Sequence, residues 1–203
     1  VIPTFRPARS VISIIEKLKL TTIVSDDCSP VTFDPILREV SALPHTTVIR
    51  NLHNQGIARG LNQGLELAAS HRFEWLLTVD QDSDLDGDYA RAILSAAQSH
   101  EALWIQRPAI GVIAPHQIQD ASGVMTYPTK LVDSVPVTQE VIQSGALWRV
   151  SALRQIGGFD EKLGIDAVDA AACLHLREAG YLIALTDTVA LHHNLGDSHQ
   201  VNI

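Results

Sequence analysis

Apolar and polar positions fall along this chain in blocks that switch between a helical and a strand period. Residues 7–19 set Val11, Ile12, Ile14, Ile15 and Leu18 at helical spacing behind Pro7, which predicts a helix with one buried stripe. Thr21–Ser25 is a short β-branched run closed by Asp26, Asp27, Ser29 and Pro30, a strand running into a turn. A short helix over 34–42 and a strand over Thr46–Arg50 follow. Gly56–Ser70 returns to helical spacing with Ile57, Leu61, Leu65 and Ala68. Trp75–Val79 is almost unbroken apolar sequence, as expected of a strand covered on both faces. A helix over 87–99 and a strand over Ile110–Ala114 continue the alternation. Strand and helix taking turns predict an α/β fold with a mostly parallel central sheet flanked by helices.

The pattern then degrades. Residues 115–143 mix polar positions with Gly123, Pro128 and Pro136, which predicts irregular hairpins around a site. Helices over 149–156 and 166–179 and closing strands over Tyr181–Ala184 and Thr188–His192 complete the reading. No internal repeat or low-complexity tract is present.

Composition narrows the function. At 203 residues and 46% hydrophobic, the chain suits one domain with a substantial core. A net charge of -8 argues against a nucleic-acid-binding surface, so no nucleic-acid partner is expected. It leaves a nucleotide open, because a metal ion offsets repulsion of a diphosphate. Cys28 and Cys173 lack CxxC spacing, and read as two buried free thiols of a reducing compartment. No apolar run reaches the length of a membrane span and no signal peptide is visible. The chain opens at Val1, inside an apolar pair, and reads as trimmed, with its first strand partly missing.

Five polar strings could carry chemistry. In Val79-Asp80-Gln81-Asp82-Ser83 a buried strand runs into two carboxylates spaced i, i+2. Ligands of open α/β sheets collect beyond the carboxyl ends of strands, and carboxylates there suit a hard divalent cation. The same string is also ordinary turn chemistry. Leu191-His192-His193-Asn194-Leu195-Gly196 offers an imidazole to a metal shell or phosphate, or a surface histidine. Asp166 and Asp169, spaced i, i+3 at a helix start, read either as an N-cap and a dipole-favoured acid or as a pair containing a general base. Ser25-Asp26-Asp27-Cys28-Ser29 could hold a nucleobase against Pro3–Phe5, or be a polar turn. Asn54, Gly56 and Asn62 open and line a helix whose N-terminus could face phosphates, though capping accounts for them equally.

Taken in order, these strings together with Pro3-Thr4-Phe5, Ser144-Gly145 and Gly157-Gly158-Phe159-Asp160-Glu161 resemble family 2 glycosyltransferases from Val1 to about Asp197. Asp80-Gln81-Asp82-Ser83, Ile165-Asp166-x-Val168-Asp169 and His193-x-Leu195-Gly196 most resemble the rhamnosyltransferase-like branch. The resemblance implies a GT-A fold in a single domain, 1–203, shortened at both ends. Residues 1–100 would be its nucleotide-sugar-binding half and 101–203 its acceptor and catalytic half. It further implies that Asp27 contacts the base and Pro3 lines its pocket, with Asn54 and Asn62 on the donor side. Asp80 would meet the ribose or sugar, Ser144 and Gly145 would shape the pocket, Asp82 and His193 would hold Mn²⁺ or Mg²⁺, and Asp169 would be the base. Gly164, Ala171, His175 and Leu61 depart from residues usual in the family, which bears on acceptor recognition and phosphate contacts.

The expected reaction is inverting transfer of L-rhamnose from a dTDP- or UDP-sugar to a cell-surface glycan, free or lipid-linked. The expected place is the cytoplasm, peripheral at the inner membrane face. Two alternatives stay open. One is a non-catalytic nucleotide-sugar-binding domain, motivated by Ala171 and His175. The other is a nucleotidyltransferase, which normally has a Gly-rich loop near the first strand. Thr4–Ser10 carries Arg6 and Arg9 but no glycine.

Overall fold

Helical stripes and buried strands assemble as spacing predicts through the first hundred residues. A computed structural model of the chain describes residues 1–102, 109–120 and 123–193. Helix α1 (Ser10–Leu18) buries Val11, Ile14, Ile15 and Leu18, one stripe at i, i+3, i+4 and i+7. It stops at Lys19, which takes a left-handed conformation and donates its N–H to Ile15 O. Strands β1 (Ile2–Thr4), β2 (Thr22–Asp26) and β3 (Thr46–Arg50) pair in parallel in the order β1-β2-β3, with α2 (Asp34–Ser41) between the last two in sequence. Helix α3 (Ile57–Ser70) lies close over β1. A Cβ on its Gly64 would come within 2.5 Å of Val1, so only glycine permits that approach.

The sheet continues through β4 (Trp75–Leu77). Val1 donates its amine to Leu77 O at 2.6 Å, and Val79 donates its N–H to Val1 O at 3.0 Å, so β1 and β4 are joined. Beyond β4 the order is β4-β10-β6-β11-β9-β8. These strands are β6 (Ile110–Asp120), β8 (Lys130–Val132), β9 (Val135–Val137), β10 (Leu147–Arg149) and β11 (Leu182–His193). The short β5 (Ser83–Asp84) pairs with β11, and β7 (Gly123–Thr126) with β6. The parallel layer expected from the alternation is the run from β3 to β4. In the second half β6 and β11 are parallel, while β10, β9 and the hairpin strands enter antiparallel.

Both sheet faces are covered, so consecutive strand residues serve different cores. Leu147 joins Ile14, Ile15, Ile93 and Ile113 on the side of α1 and α4 (Gly87–Ala102). Trp148, the next residue, joins Leu61, Leu65, Leu153 and Leu176 on the side of α3, α5 (Val150–Gln155) and α6 (Val168–Glu178). Trp148 is fully buried, edge-on to Phe159 with ring centroids 5.2 Å apart. This two-sided burial is why the strands read as nearly continuous apolar runs.

Two expectations change. The central strand β10 is absent from the sequence reading, which started a helix at residue 149. The two closing strands are one, β11, with register shifts between Leu182 and Ile183 and between Thr186 and Ala190. The hairpins expected over 115–143 are present, β7 pairing antiparallel with the outer half of β6 and β8 with β9, whose turn residues Asp133 and Ser134 both have positive φ.

Candidate active site

The Ser-Gly turn before β10 is strapped onto the end of β4. Gly145 donates its N–H to Thr78 O at 2.8 Å, and the Thr78 hydroxyl accepts from the Trp148 indole at 2.9 Å. Asp80 donates its N–H to Ser144 Oγ at 2.9 Å, and the Ser83 and Ser144 hydroxyls are 2.7 Å apart. Ser144 is 1% exposed, so it pins both ends of the Asp80–Ser83 turn from inside the protein. Gly145 has φ +75°, and a Cβ there would meet Tyr89 Oη at 2.7 Å. That hydroxyl donates to Gly145 O at 2.7 Å. Ser144 and Gly145, expected to shape the pocket, fix the backbone of the Asp80–Ser83 turn and of Thr78.

Gln143 links the two carboxylates the sequence singled out. Its side-chain amide donates to Asp80 Oδ1, and its backbone N–H donates to Asp169 Oδ2 at 3.2 Å. Asp169 is half-buried in the first turn of α6, and its Oδ1 also accepts from Ala170 N–H at 2.8 Å. The expected pairing of Asp166 with it fails. Helix α6 begins at Val168, with Ala167 as its left-handed N-cap at φ 63°, and Asp166 is exposed outside the helix. Asp166 is thus neither a cap nor on a shared helical face, because the chain makes its sharp turn one residue later than the spacing suggested.

Two further groups border Asp169. Tyr127 Oη accepts from Ile142 N–H at 2.9 Å, and burial, reinforced by the Asp169 charge, pushes its phenol up to about 12. Burial likewise pushes the Cys173 thiol up to about 12. Both keep their protons at neutral pH.

Asp82 is exposed, between the paired Asp80 and Ser83. Ser83 stands opposite His193 in the β5–β11 pair, which brings the backbone of the expected second metal ligand next to Asp82. The side chain of His193 lies outside the described residues. Among the described residues, no group of three or more His, Cys, Asp or Glu stands at metal-holding spacing. The exposed Asp82 carboxylate is of the kind a hard cation takes. Among the described residues, the buried Gln81 Oε1 and Gln143 Oε1 are acceptors with no hydrogen-bond partner. Such an orphaned acceptor costs a folded chain roughly 1–3 kcal/mol.

Just past the end of β2, Asp27 is 9% exposed and both its oxygens are engaged. Oδ1 accepts from Asn51 Nδ2 at 3.1 Å and Gln55 N–H at 2.8 Å, and Oδ2 from Gly56 N–H at 2.9 Å. A buried amide chain runs on from Asn51 through Gln63 to Ser25. Asp27 thereby closes the loop leading into α3. Pro3 sits in register with Ser25 on β1, and the exposed Asn54 reaches Asp27 O at 3.5 Å. The sequence reading omitted Gln143, Asn51 and Gln63. A signal for Gln143 was its place directly before Ser144-Gly145, a string the sequence had singled out.

Asn62 turns away from these groups. Its amide accepts from Phe159 N–H at 2.8 Å and donates to Phe159 O at 2.9 Å and Glu161 Oε1 at 2.8 Å. It holds the Gly157–Glu161 loop to α3. Asn62→Ala should leave the buried Phe159 backbone unpaired and lower stability by roughly 1–3 kcal/mol in urea unfolding. A midpoint equal to the parent's would show that water or the loop itself satisfies those groups.

Residues 3–157 match the family described as Glycosyl transferase family 2. The chain belongs to this family. It is 24% identical over 206 residues to the dTDP-rhamnosyl transferase RfbF of Shigella flexneri, covering 96% of this chain and 67% of that protein. Its fold is GT-A. It superposes on S. aureus TarS 1-349 in complex with UDP-GlcNAc with a TM-score of 0.71 at 16% identity, over 95% of this chain and 57% of that one. It superposes on GalNAc-T7 with UDP, GalNAc and Mn²⁺ with a TM-score of 0.72 at 10% identity, over 95% of this chain and 43% of that one. The chain thus spans about half the length of these solved structures. Among the described residues, no helix of this family 2 chain is long and apolar enough to cross a membrane.

Proposed function

We propose that this chain is an inverting glycosyltransferase that moves L-rhamnose from a dTDP- or UDP-sugar to a cell-surface glycan acceptor. The observation that carries the reading is the Asp80–Gln143–Asp169 array at the end of β4. It sets a donor-side carboxylate and a candidate base around one turn. Asp169 takes the proton of the acceptor hydroxyl as that oxygen attacks the anomeric carbon. The bond from that carbon to the diphosphate breaks on the opposite face, through an oxocarbenium-like transition state, and the nucleoside diphosphate departs. Mn²⁺ or Mg²⁺, held by Asp82 with His193, would neutralise the leaving diphosphate. The likeness to a dTDP-rhamnosyl transferase supports the sugar, and the Mn²⁺ in the GalNAc-T7 structure supports the cation.

In this reading Asp27 meets the base through what remains of its acceptor capacity, Pro3 and Asn54 border the nucleotide, and Asp80 meets the ribose or sugar. Residues 1–100 bind the donor and 101–203 serve the acceptor. A lipid-linked acceptor would place the protein in the cytoplasm at the inner membrane face. Calorimetry with dTDP, UDP and GDP, each with and without Mn²⁺, tests the donor half. Tighter binding of dTDP or UDP in the presence of Mn²⁺ is expected. No binding of any of the three, with or without the cation, sinks the reading.

A further inference from the structure

We propose that Gln143 is a positioning residue that sets Asp80 and Asp169 at their working separation. The inference rests on the transferase reading above. Gln143 is 6% exposed and reaches one carboxylate with its side chain and the other with its backbone. Asp80 follows β4 and Asp169 opens α6, and Gln143 bonds to both. Ser144, its neighbour, anchors the Asp80 backbone, and Gly145 anchors the turn to Thr78. Residues 143–145 thus tie the Asp80 turn to the start of α6.

The amide is oriented by its partner. Nε2 must face Asp80, because a carbonyl there would point lone pairs at a carboxylate. That leaves Oε1 buried and without a partner among the described residues. Buried polar atoms are normally paired. An amide that leaves its own carbonyl unpaired while it donates to Asp80 points to a role in placing that carboxylate.

Gln143→Met separates the two. It keeps length and volume, removes the orphaned carbonyl, leaves the backbone bond to Asp169, and removes the amide's bond to Asp80. The variant should melt within a few degrees of the parent and bind dTDP with Mn²⁺ within about twofold. It should consume dTDP-L-rhamnose about 10²-fold more slowly, the scale of a small misplacement of reacting groups. A second measurement is a double-mutant cycle in urea unfolding between Gln143→Met and Asp80→Asn, in which touching residues couple. Turnover equal to the parent's overturns the inference, as does a loss of dTDP affinity as large as the loss of turnover. Additive effects in the cycle overturn it whether or not the parent is active. A parent that binds no nucleotide and consumes no donor overturns the transferase reading, and this inference with it. An active parent beside an unimpaired Gln143→Met overturns this inference alone.

Discussion

An Asp169→Asn variant is expected to fold, to bind dTDP as the parent does, and to lose turnover by roughly 10²–10⁴, the range of a positioned general base. Asparagine keeps the shape but offers one acceptor oxygen to the two N–H groups, of Gln143 and Ala170, that Asp169 now serves. A stability loss of about 1 kcal/mol should accompany the substitution. It is too small to unfold the chain, so lost turnover would report chemistry. The neighbouring Tyr127 and Cys173 are protonated near neutral pH and cannot substitute as bases. Asp166→Asn is the control. Asp166 is exposed and outside α6, so both its stability and its turnover should match the parent's. Near-parental turnover of Asp169→Asn, together with a dead Asp166→Asn, would reverse the roles.

What could be read from the chain followed the physics of burial. Helix α1 buries one stripe, α3 carries Leu61, Leu65 and Ala68 at helical spacing within a wider buried face, and β2 and β3 are β-branched runs, so periodicity located all four. Strand β10 escaped because its three residues, Leu147–Arg149, run directly into α5 with no turn residue between them. Pattern cannot divide an apolar segment that changes conformation without punctuation. Strand β11 was cut in two because the polar Thr186-Asp187-Thr188 falls at its register shift. There the strand bends without ending.

The site was legible as a set of strings, and less so as a set of roles. Motif order marked Asp80, Ser144 and Asp169, and the fold joins all three through Gln143. It also marked Asn62 and Asp27, whose polar atoms turn out to tie loops together. A string of polar residues cannot show which of its members face a ligand and which satisfy backbone groups. That depends on which N–H groups the tertiary fold leaves unpaired, here those of Gln55, Gly56 and Phe159.

Asp82 presents the opposite case, a marked carboxylate left in the open. It is exposed between Asp80, whose N–H is held by Ser144, and Ser83, whose hydroxyl is held by the same residue. Its backbone is therefore fixed while its side chain faces solvent, next to the strand position of His193. Asp82→Ala should cost almost nothing in stability, since surface substitutions away from special features stay within about 0.5 kcal/mol. Its effect should appear only when a cation and a diphosphate are both present. In calorimetry the variant should bind dTDP equally with and without Mn²⁺, at the affinity the parent shows without it. Turnover should fall with the lost charge neutralisation of the leaving group. Asp84→Ala, at the next exposed carboxylate but paired with Lys17 across the surface, should leave the cation response intact. An Asp82→Ala protein whose dTDP affinity still rises with Mn²⁺ as the parent's does would remove Asp82 from the metal site. The cation would then have to sit on Asp80 and groups yet to be identified.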